Sequence, residues 1–291
     1  MGRKVTVTSI EGNSQRLDGG AMFGNAPRAL WERWAEPDEL GRINLACRCA
    51  LVEIDDVKIL LETGVGCYMP PQLAERFGVF EKEHVLLQNL AEHNVKPEDI
   101  DYVILSHLHF DHAGGLLSAY SGASDDAMKL VFPRATFVVG TEAWQRALNP
   151  HFRDRASFIP ELPGLLQDSD RLVVLTEDQG LSELPELSFF VSNGHTPGQL
   201  HTVIAGEKTN LVYCGDLIPG APWVNLPITM GYDRYPELLI DEKQRLYDRI
   251  DASWRLFFTH DWHYAMAGVE QNAKGKFIAT DLVESLDRVV L

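Results

Sequence analysis

The feature that most constrains this chain is a dense run of possible metal ligands directly after an apolar segment. Residues 102–105, Tyr-Val-Ile-Leu, are apolar and rich in β-branched side chains, which predicts a buried strand. Directly after it come His107, His109, Asp111 and His112. A loop at the end of a strand can aim several side chains at one point, and imidazole and carboxylate groups suit zinc, iron or manganese. We therefore expect a metal site here rather than a loop of solvated histidines.

Three further ligand-type residues each follow a predicted strand later in the chain. His195 comes after the strand predicted at residues 187–191, and Asp216 and His260 occupy similar positions after later apolar segments. A lone Gly-His or Gly-Asp is more often a turn residue than a functional one. Their shared position after strands, together with the first cluster, instead predicts one site built from several strand ends.

Length and composition describe an ordinary globular chain with an acidic surface. The 291 residues are 45% hydrophobic and carry a formal net charge of −16, which repels polyphosphate backbones, so nucleic acid is not an expected partner. No apolar stretch approaches about 18 residues, so no membrane span is expected, and the N-terminus does not resemble a signal peptide. For Cys47 and Cys49 we expect buried free thiols rather than a metal pair, and a cytoplasmic location.

The order of the predicted elements indicates a layered protein. Residues 43–54 are predicted as a strand that turns back into a hairpin at the Asp-Asp pair of residues 55–56. Thr141 is predicted to cap a helix over residues 141–148, and a long amphipathic helix is predicted over residues 236–250. Strands and helices mixed in this way are typical of layered α/β or α+β proteins.

The pattern of the seven ligand-type residues resembles that of the metallo-β-lactamase superfamily. The His-x-His-x-Asp-His motif of residues 107–112, followed by His195, Asp216 and His260, stands in the order of that family across residues 43–261. The resemblance implies an α+β fold, an αββα sandwich of two mixed β-sheets flanked by helices, with metals at one edge. We expect a single domain over residues 1–291, in which residues 1–42 form an N-terminal extension or lid.

The same resemblance implies how two metal ions would share the ligands. One ion would be held by three imidazoles, those of His107, His109 and His195. The other would be held by a carboxylate and two imidazoles, those of Asp111, His112 and His260. Asp216 would bridge the two ions. Zinc is the expected metal, with iron or manganese as alternatives.

The expected chemistry follows from two metals that share a water. Metals about 3.5–4 Å apart can lower the pKa of a water between them from about 15.7 towards about 7, and the bridging hydroxide can attack a carbonyl or phosphorus centre. We expect Asp111 and Asp216 to be catalytic, with Asp111 passing a proton to the leaving group. The likeness is strongest to the acyl-homoserine lactonase and organophosphate-hydrolase branch. It implies hydrolysis of a small ester, lactone or phosphotriester.

Two departures from that branch bear on the substrate. Its lactonases carry a tyrosine near the bridging aspartate, whereas Leu-Ile-Pro follows Asp216 here. Its Asp-Thr-Gly segment begins with Glu62 here, which we interpret as a tolerated change in a carboxylate behind the ligands.

Other activities stay open at this stage. A thioesterase resembling glyoxalase II has the same ligands, although residues 261–291 are too few for the helical domain that such enzymes carry. A mononuclear iron dioxygenase resembling persulfide dioxygenases, and a non-catalytic metal-binding protein, are further alternatives. Metal content distinguishes the dioxygenase, which would hold one iron and depend on oxygen.

Aromatic and glycine-containing segments predict the walls of a substrate pocket. Phe23 lies in the N-terminal region, and Trp223, Met230 and His263 lie in the last third of the chain. These segments can form loops that wall the metal edge and accept a small, apolar molecule. An equally weighted alternative is that the aromatic side chains simply complete the core. A homodimer is compatible with the sequence.

Overall fold

A computed structural model describes residues 3–122, 127–176 and 179–291. The strands, in chain order, are β1 Val5–Glu11, β2 Gln15–Asp18, β3 Arg42–Leu45, β4 Arg48–Ile54, β5 Val57–Leu61, β6 Tyr102–Ile104, β7 Thr136–Gly140, β8 Leu172–Leu175, β9 Leu187–Ser192, β10 Gln199–Ile204, β11 Asn210–Tyr213, β12 Trp254–Phe257, β13 Met266–Gln271, β14 Phe277–Val283 and β15 Val289–Val290. The α-helices are α1 Gly19–Phe23, α2 Arg28–Trp31, α3 Pro71–Arg76, α4 Val85–Glu92, α5 Phe110–Ala113, α6 Thr141–Leu148, α7 Leu162–Asp168 and α8 Pro236–Tyr247. Short 3-10 turns include Pro97–Asp99, Gly114–Leu116, Arg155–Ser157, Gly215–Leu217 and Ala221–Val224.

Two mixed sheets form the centre of the molecule. The first has the strand order β15-β1-β4-β5-β6-β7-β8, with β5 to β8 parallel and the others antiparallel. The second has the order β14-β13-β12-β11-β10-β9, in which only β11 and β12 are paired in parallel. A separate two-stranded ribbon joins β2 to β3.

Central strands of both sheets bury side chains on both faces, because apolar residues continue through strands such as β4 and β11 instead of alternating with polar ones. Ala50 and Val52 of β4 pack between the sheets against residues of the second sheet such as Leu200, whereas Leu51 faces helices α4, α6 and α7. The outer face of the second sheet packs on α8 and on aromatic residues of the N-terminal segment, including Trp31. The layers are therefore helix, sheet, sheet and helix, which confirms the αββα sandwich that was predicted.

The hairpin was predicted correctly, but its first strand is interrupted. β4 and β5 pair in antiparallel, and Asp55 takes a positive φ of 52° in the turn between them. The predicted strand over residues 43–54 breaks at Ala46 and Cys47, so that its first part joins the ribbon and its second part joins the large sheet. The carbonyl groups of the break are used elsewhere: Ala46 O accepts from His260 and Cys47 O accepts from Gly12.

Two predicted helix details were wrong. Gly140, not Thr141, is the N-cap of α6, because β7 runs directly into the helix and the Thr141 hydroxyl donates instead to Leu175 O of β8 at 2.8 Å. Helix α8 ends at Tyr247, three residues before the predicted limit, and Asp248 is its C-cap. Within the described residues, no helix combines the length and the apolar character needed to cross a membrane.

Candidate metal centre

The ligand-type residues lie at strand ends that the topology brings to one edge. His107 comes three residues after β6. His195, Asp216 and His260 follow β9, β11 and β12, and these three strands run in the same direction in the second sheet. Their carboxyl ends therefore lie side by side, where their following loops face one another.

The loop that carries the histidine cluster turns sharply at two glycines. Asp111 and His112 lie in α5, and Gly114 and Gly115 follow. A Cβ atom on Gly115 would lie 2.0 Å from Thr63 O, so only glycine lets the backbone approach this closely. The two glycines therefore let the chain turn tightly directly after α5.

Three imidazoles form the first group of the site. His109 Nδ1 lies 2.9 Å from His107 Nε2 and 3.3 Å from His195 Nε2. Burial, followed by the neighbouring histidines, lowers the pKa of His107 and of His109 well below the ordinary value. Burial opposes charge on His195 as well, but the carboxylates of Asp216 and Asp233 outweigh it and raise its pKa.

Two imidazoles and a carboxylate form the second group. His112 Nε2 and His260 Nε2 are 3.3 Å apart. The Asp111 carboxylate lies at the side of this pair, with Oδ1 3.9 Å from His112 Nε2 and Oδ2 3.7 Å from His260 Nε2. Ligand atoms of these three residues all lie within 4.8 Å of one another.

Asp216 faces both groups at once. Its Oδ2 lies 3.1 Å from His195 Nε2, while its Oδ1 lies 3.4 Å from His112 Nε2 and 3.2 Å from His260 Nε2. Burial disfavours the charged carboxylate, but the three histidines outweigh it and hold the pKa of Asp216 well below its usual range. Asp216 is therefore a carboxylate placed between two clusters of nitrogen ligands.

This donor set fits two divalent cations. Imidazole nitrogens point at one another at 2.9–3.3 Å, and within the described residues the buried Oδ1 of Asp216 makes no well-aligned hydrogen bond although His112 and His260 lie within 3.4 Å of it. A buried oxygen without a partner is unfavourable, and a cation between these atoms would satisfy it. Five nitrogen and two carboxylate donors are the borderline-to-hard ligands that zinc, iron and manganese accept.

Groups behind the histidines fix their orientation. The Nδ1 atoms of His107, His195 and His260 lie at hydrogen-bonding distance from Ser106 Oγ (2.9 Å), Asp233 Oδ1 (2.9 Å) and Ala46 O (2.7 Å). Such partners set the ring tautomer and leave Nε2 free for a metal.

Glu62 supports the cluster from behind, as its place in the sequence suggested. Its Oε2 lies 3.2 Å from His112 Nδ1, and its Oε1 accepts from Ser106 N at 2.6 Å. The longer side chain therefore still places a carboxylate against the histidine, which agrees with the interpretation of this departure as a tolerated change.

A small cavity opens onto both groups of ligands, with His195 among its lining residues. It has a volume of about 80 Å³ and is lined by His109, Asp111, Asp216 and His260, and by apolar and aromatic side chains, Leu17, Met22, Leu45, Phe77, Phe110, Met230 and Tyr232. Ligand pockets usually measure roughly 300–1,000 Å³, so this space admits the reacting end of a molecule rather than the whole of it.

The four predicted pocket residues divide between two cavities. Met230 lines the cavity over the metal ligands. Phe23, Trp223 and His263 line a neighbouring cavity of about 200 Å³, which also borders His260. Phe23 and Trp223 are buried and stacked, with ring centroids 4.4 Å apart, so they belong to the core as well as to a cavity wall.

Sequence reasoning missed Gln15 and Asp233. Gln15 Nε2 donates to Asp111 Oδ2 at 2.7 Å, and Asp233 contacts His195 as described. Neither residue lies in a motif, and 96 and 38 positions of sequence separate them from their partners. Cys47 and Cys49 are buried free thiols, as expected, and among the described residues neither joins a group able to hold a metal.

Comparison with known proteins supports this description. Residues 42–123 match the family model described as metallo-beta-lactamase superfamily. An N-acyl homoserine lactonase from Bacillus thuringiensis is 26% identical over 239 residues, which cover 75% of this chain and 82% of that protein. A lactonase of the same description from Bacillus cereus is 28% identical over 183 residues, which cover 58% of this chain and 62% of that protein, less than two thirds of its length.

Solved structures share the fold over the whole chain. A probable metal-dependent hydrolase from Staphylococcus aureus superposes with a TM-score of 0.84 at 26% identity, covering 100% of this chain and 99% of the other. A dizinc quorum-quenching lactonase bound to a product has a TM-score of 0.72 at 21% identity, covering 94% and 93%. The comparisons agree with the prediction of a metal-dependent hydrolase similar to lactonases. The chain therefore has the metallo-β-lactamase fold, and residues 42–123 of it match the model of that superfamily.

Proposed function

We propose that this protein is a hydrolase with two divalent metal ions that acts on a small, neutral ester, lactone or phosphotriester. The position of Asp216 carries the proposal, because one of its oxygens faces His195 and the other faces His112 and His260. A carboxylate in this position suits a pair of cations better than a single one. The second group of ligands therefore argues against a mononuclear iron dioxygenase.

The chain would hold one ion with His107, His109 and His195 and the other with Asp111, His112 and His260, and Asp216 would contact both. We propose zinc for both positions, in keeping with the nitrogen-rich donor set. When bound, two such cations lower the pKa of a shared water and polarise the electrophilic oxygen of a substrate.

Two side chains in the cavity can act on oxygen atoms of the substrate, one by proton transfer and the other by a hydrogen bond. Asp111 lines the cavity and keeps some exposure, with 13% of its side chain accessible, so it can pass a proton to a leaving oxygen. Tyr232 lines the same cavity, and burial together with Asp111 raises its pKa to about 12. Its phenol therefore keeps its proton at neutral pH and can donate a hydrogen bond to a carbonyl oxygen.

Tyr232 bears directly on the lactone hypothesis. The segment after Asp216 contains no tyrosine, which made lactone hydrolysis doubtful on sequence alone. Tyr232 lies 16 residues after Asp216, in a loop that brings its side chain into the cavity. The cavity therefore contains a phenol from a different position in the sequence. We propose that Tyr232 supplies the donor to the carbonyl.

The surroundings of the site favour a neutral substrate with an apolar part. The net charge of −16 repels anions at a distance. Leu17, Met22 and Met230 line the cavity beside the ligands and would contact an alkyl group. The names of the Bacillus relatives, N-acyl homoserine lactonases, support lactones with an acyl chain as the first substrates to test.

The test combines metal analysis with a substrate panel. Purified protein should contain two zinc ions per chain and should hydrolyse acyl-substituted lactones faster than thioesters, simple esters or phosphotriesters. Preference for thioesters would indicate a glyoxalase II-like activity instead. A single iron with oxygen-dependent turnover would overturn the proposal.

A further inference from the structure

We infer that Gln15 is a positioning residue for Asp111, so that the N-terminal segment forms part of the second metal position rather than only covering it. The inference rests on the proposed function, because it assigns Gln15 a role towards a metal that Asp111 would bind. It concerns a residue outside the seven-ligand pattern.

The contact is short and buried. Gln15 is only 1% exposed, and its Nε2 donates to Asp111 Oδ2 at 2.7 Å. The backbone around it is fixed, because Gln15 pairs with Leu45 in the ribbon of β2 and β3. Leu45 itself lines the cavity over the ligands, so the ribbon lies against the site.

A role in folding does not by itself explain why an amide side chain occupies position 15. The Gln15 Oε1 is buried and has no hydrogen-bond partner in the part of the chain that the structure describes, which disfavours a polar side chain at this position. Asn13, two residues earlier, shows the contrast: its amide donates to Glu81 O and Glu83 O and accepts from Val85 N. Asn13 therefore holds a loop, whereas among the described residues the Gln15 side chain hydrogen-bonds to Asp111 alone.

That hydrogen bond limits the freedom of the Asp111 carboxylate. The amide holds Oδ2 at 3.7 Å from His260 Nε2 and thereby leaves Oδ1 at 3.9 Å from His112 Nε2, so both oxygens stay directed towards the second group. The amide donor is neutral and does not itself titrate. Partners behind a metal ligand of this kind typically change metal affinity 10–100-fold when removed.

The experiment compares release of metal from two variants with that from the wild-type protein. Gln15→Met keeps the length of the side chain and removes the N–H donor, and Gln15→Leu removes the donor with a shorter apolar side chain and serves as a second test if Gln15→Met does not fold. Zinc-loaded proteins are mixed with a chromogenic chelator, and both the stoichiometry and the release rates are recorded. We expect one of two ions to bind about 10–100-fold more weakly, with the other unchanged.

Asn13→Leu is the matched control, because it removes a buried amide from the same segment. It should lower the melting temperature and leave both zinc ions with wild-type release rates. If the folded Gln15 variants release both ions as slowly as the wild-type protein, this inference is overturned and the proposed function stands. If the wild-type protein itself holds fewer than two ions, both are overturned.

Discussion

Asp233 Oδ1 lies 2.9 Å from His195 Nδ1, and both side chains are almost completely buried. The other oxygen of Asp233 accepts from Met230 N at 2.6 Å, so the carboxylate ties the cavity wall to a proposed metal ligand. We predict that Asp233→Ala weakens zinc binding at the first position by about 10–100-fold. Titration of the metal-free variant with zinc measures this, and unchanged affinity would rule out the role.

The proposed bridging role of Asp216 gives a prediction on stoichiometry. Asp216→Ala removes the oxygen that faces His112 and His260 as well as the one that faces His195. We expect the variant to retain at most one ion per chain and to lose at least roughly 100-fold in kcat. Elemental analysis decides the point, since retention of two ions would contradict a bridging role.

Tyr232 gives a prediction on catalysis without loss of metal. Tyr232→Phe removes only the phenol oxygen from the cavity wall, so both ions should remain bound. We expect kcat for lactones to fall roughly 10-fold or more, with a smaller change in KM, because the donor acts most on the developing charge. Tyr235→Phe, at a half-exposed residue outside this cavity, should behave as the wild-type protein does. Equal kinetics for the two variants would exclude Tyr232 as the hydrogen-bond donor to the substrate.

Variants at the aromatic stack can distinguish a role in packing from a role in substrate contact. Phe23 lies against Trp223 and, on another side, against Trp31 at 5.7 Å between ring centroids. Phe23→Ala should therefore lower the free energy of unfolding by about 3–5 kcal/mol and raise KM for hydrophobic substrates, without removing metal. Trp262→Ala is the matched variant, since Trp262 lines the same cavity but is 47% exposed. It should change KM with little loss of stability, and unchanged KM in both variants would limit these residues to packing.

His201 gives a prediction on pH and stability. It is fully buried in β10, its Nε2 lies 2.7 Å from Ser192 Oγ, and burial lowers its pKa from 6.5 to about 3. In the unfolded chain His201 takes up a proton near pH 6.5, so unfolding binds a proton between pH 6.5 and 3. The contribution of His201 to the free energy of unfolding is therefore fully present above pH 6.5. As the pH falls below 6.5, this contribution decreases by up to about 1.4 kcal/mol per pH unit.

Denaturant unfolding of the metal-free protein between about pH 7 and pH 4 measures this slope. His201→Gln cannot titrate and can still bond to Ser192, so its stability should depend less steeply on pH than that of the wild-type protein. Parallel pH profiles for the two proteins would show that His201 does not contribute.

Local sequence determined much of the fold. β-Branched runs such as residues 102–105 and the turn at residues 55–56 specify strands and a hairpin through short-range preferences that tertiary packing did not override. The interruption at Ala46 could not be predicted, because its cause is a histidine 214 positions away that takes the Ala46 carbonyl. The cap at Thr141 was wrong for a similar reason, since a neighbouring strand offers its hydroxyl a better-placed acceptor.

The sequence by itself pointed to the seven ligand-type residues, because four of them stand densely after one buried strand and the other three each follow a later strand, and the family resemblance implied how they divide. Only the tertiary structure shows how the division arises: Asp216 faces both groups because the shared direction of β9, β11 and β12 brings three loops together. It alone also placed Gln15, Asp233 and Tyr232 beside the site. Hydrogen bonds between distant segments leave no periodic or spacing signal in a chain, so these partners appear only when the fold is complete.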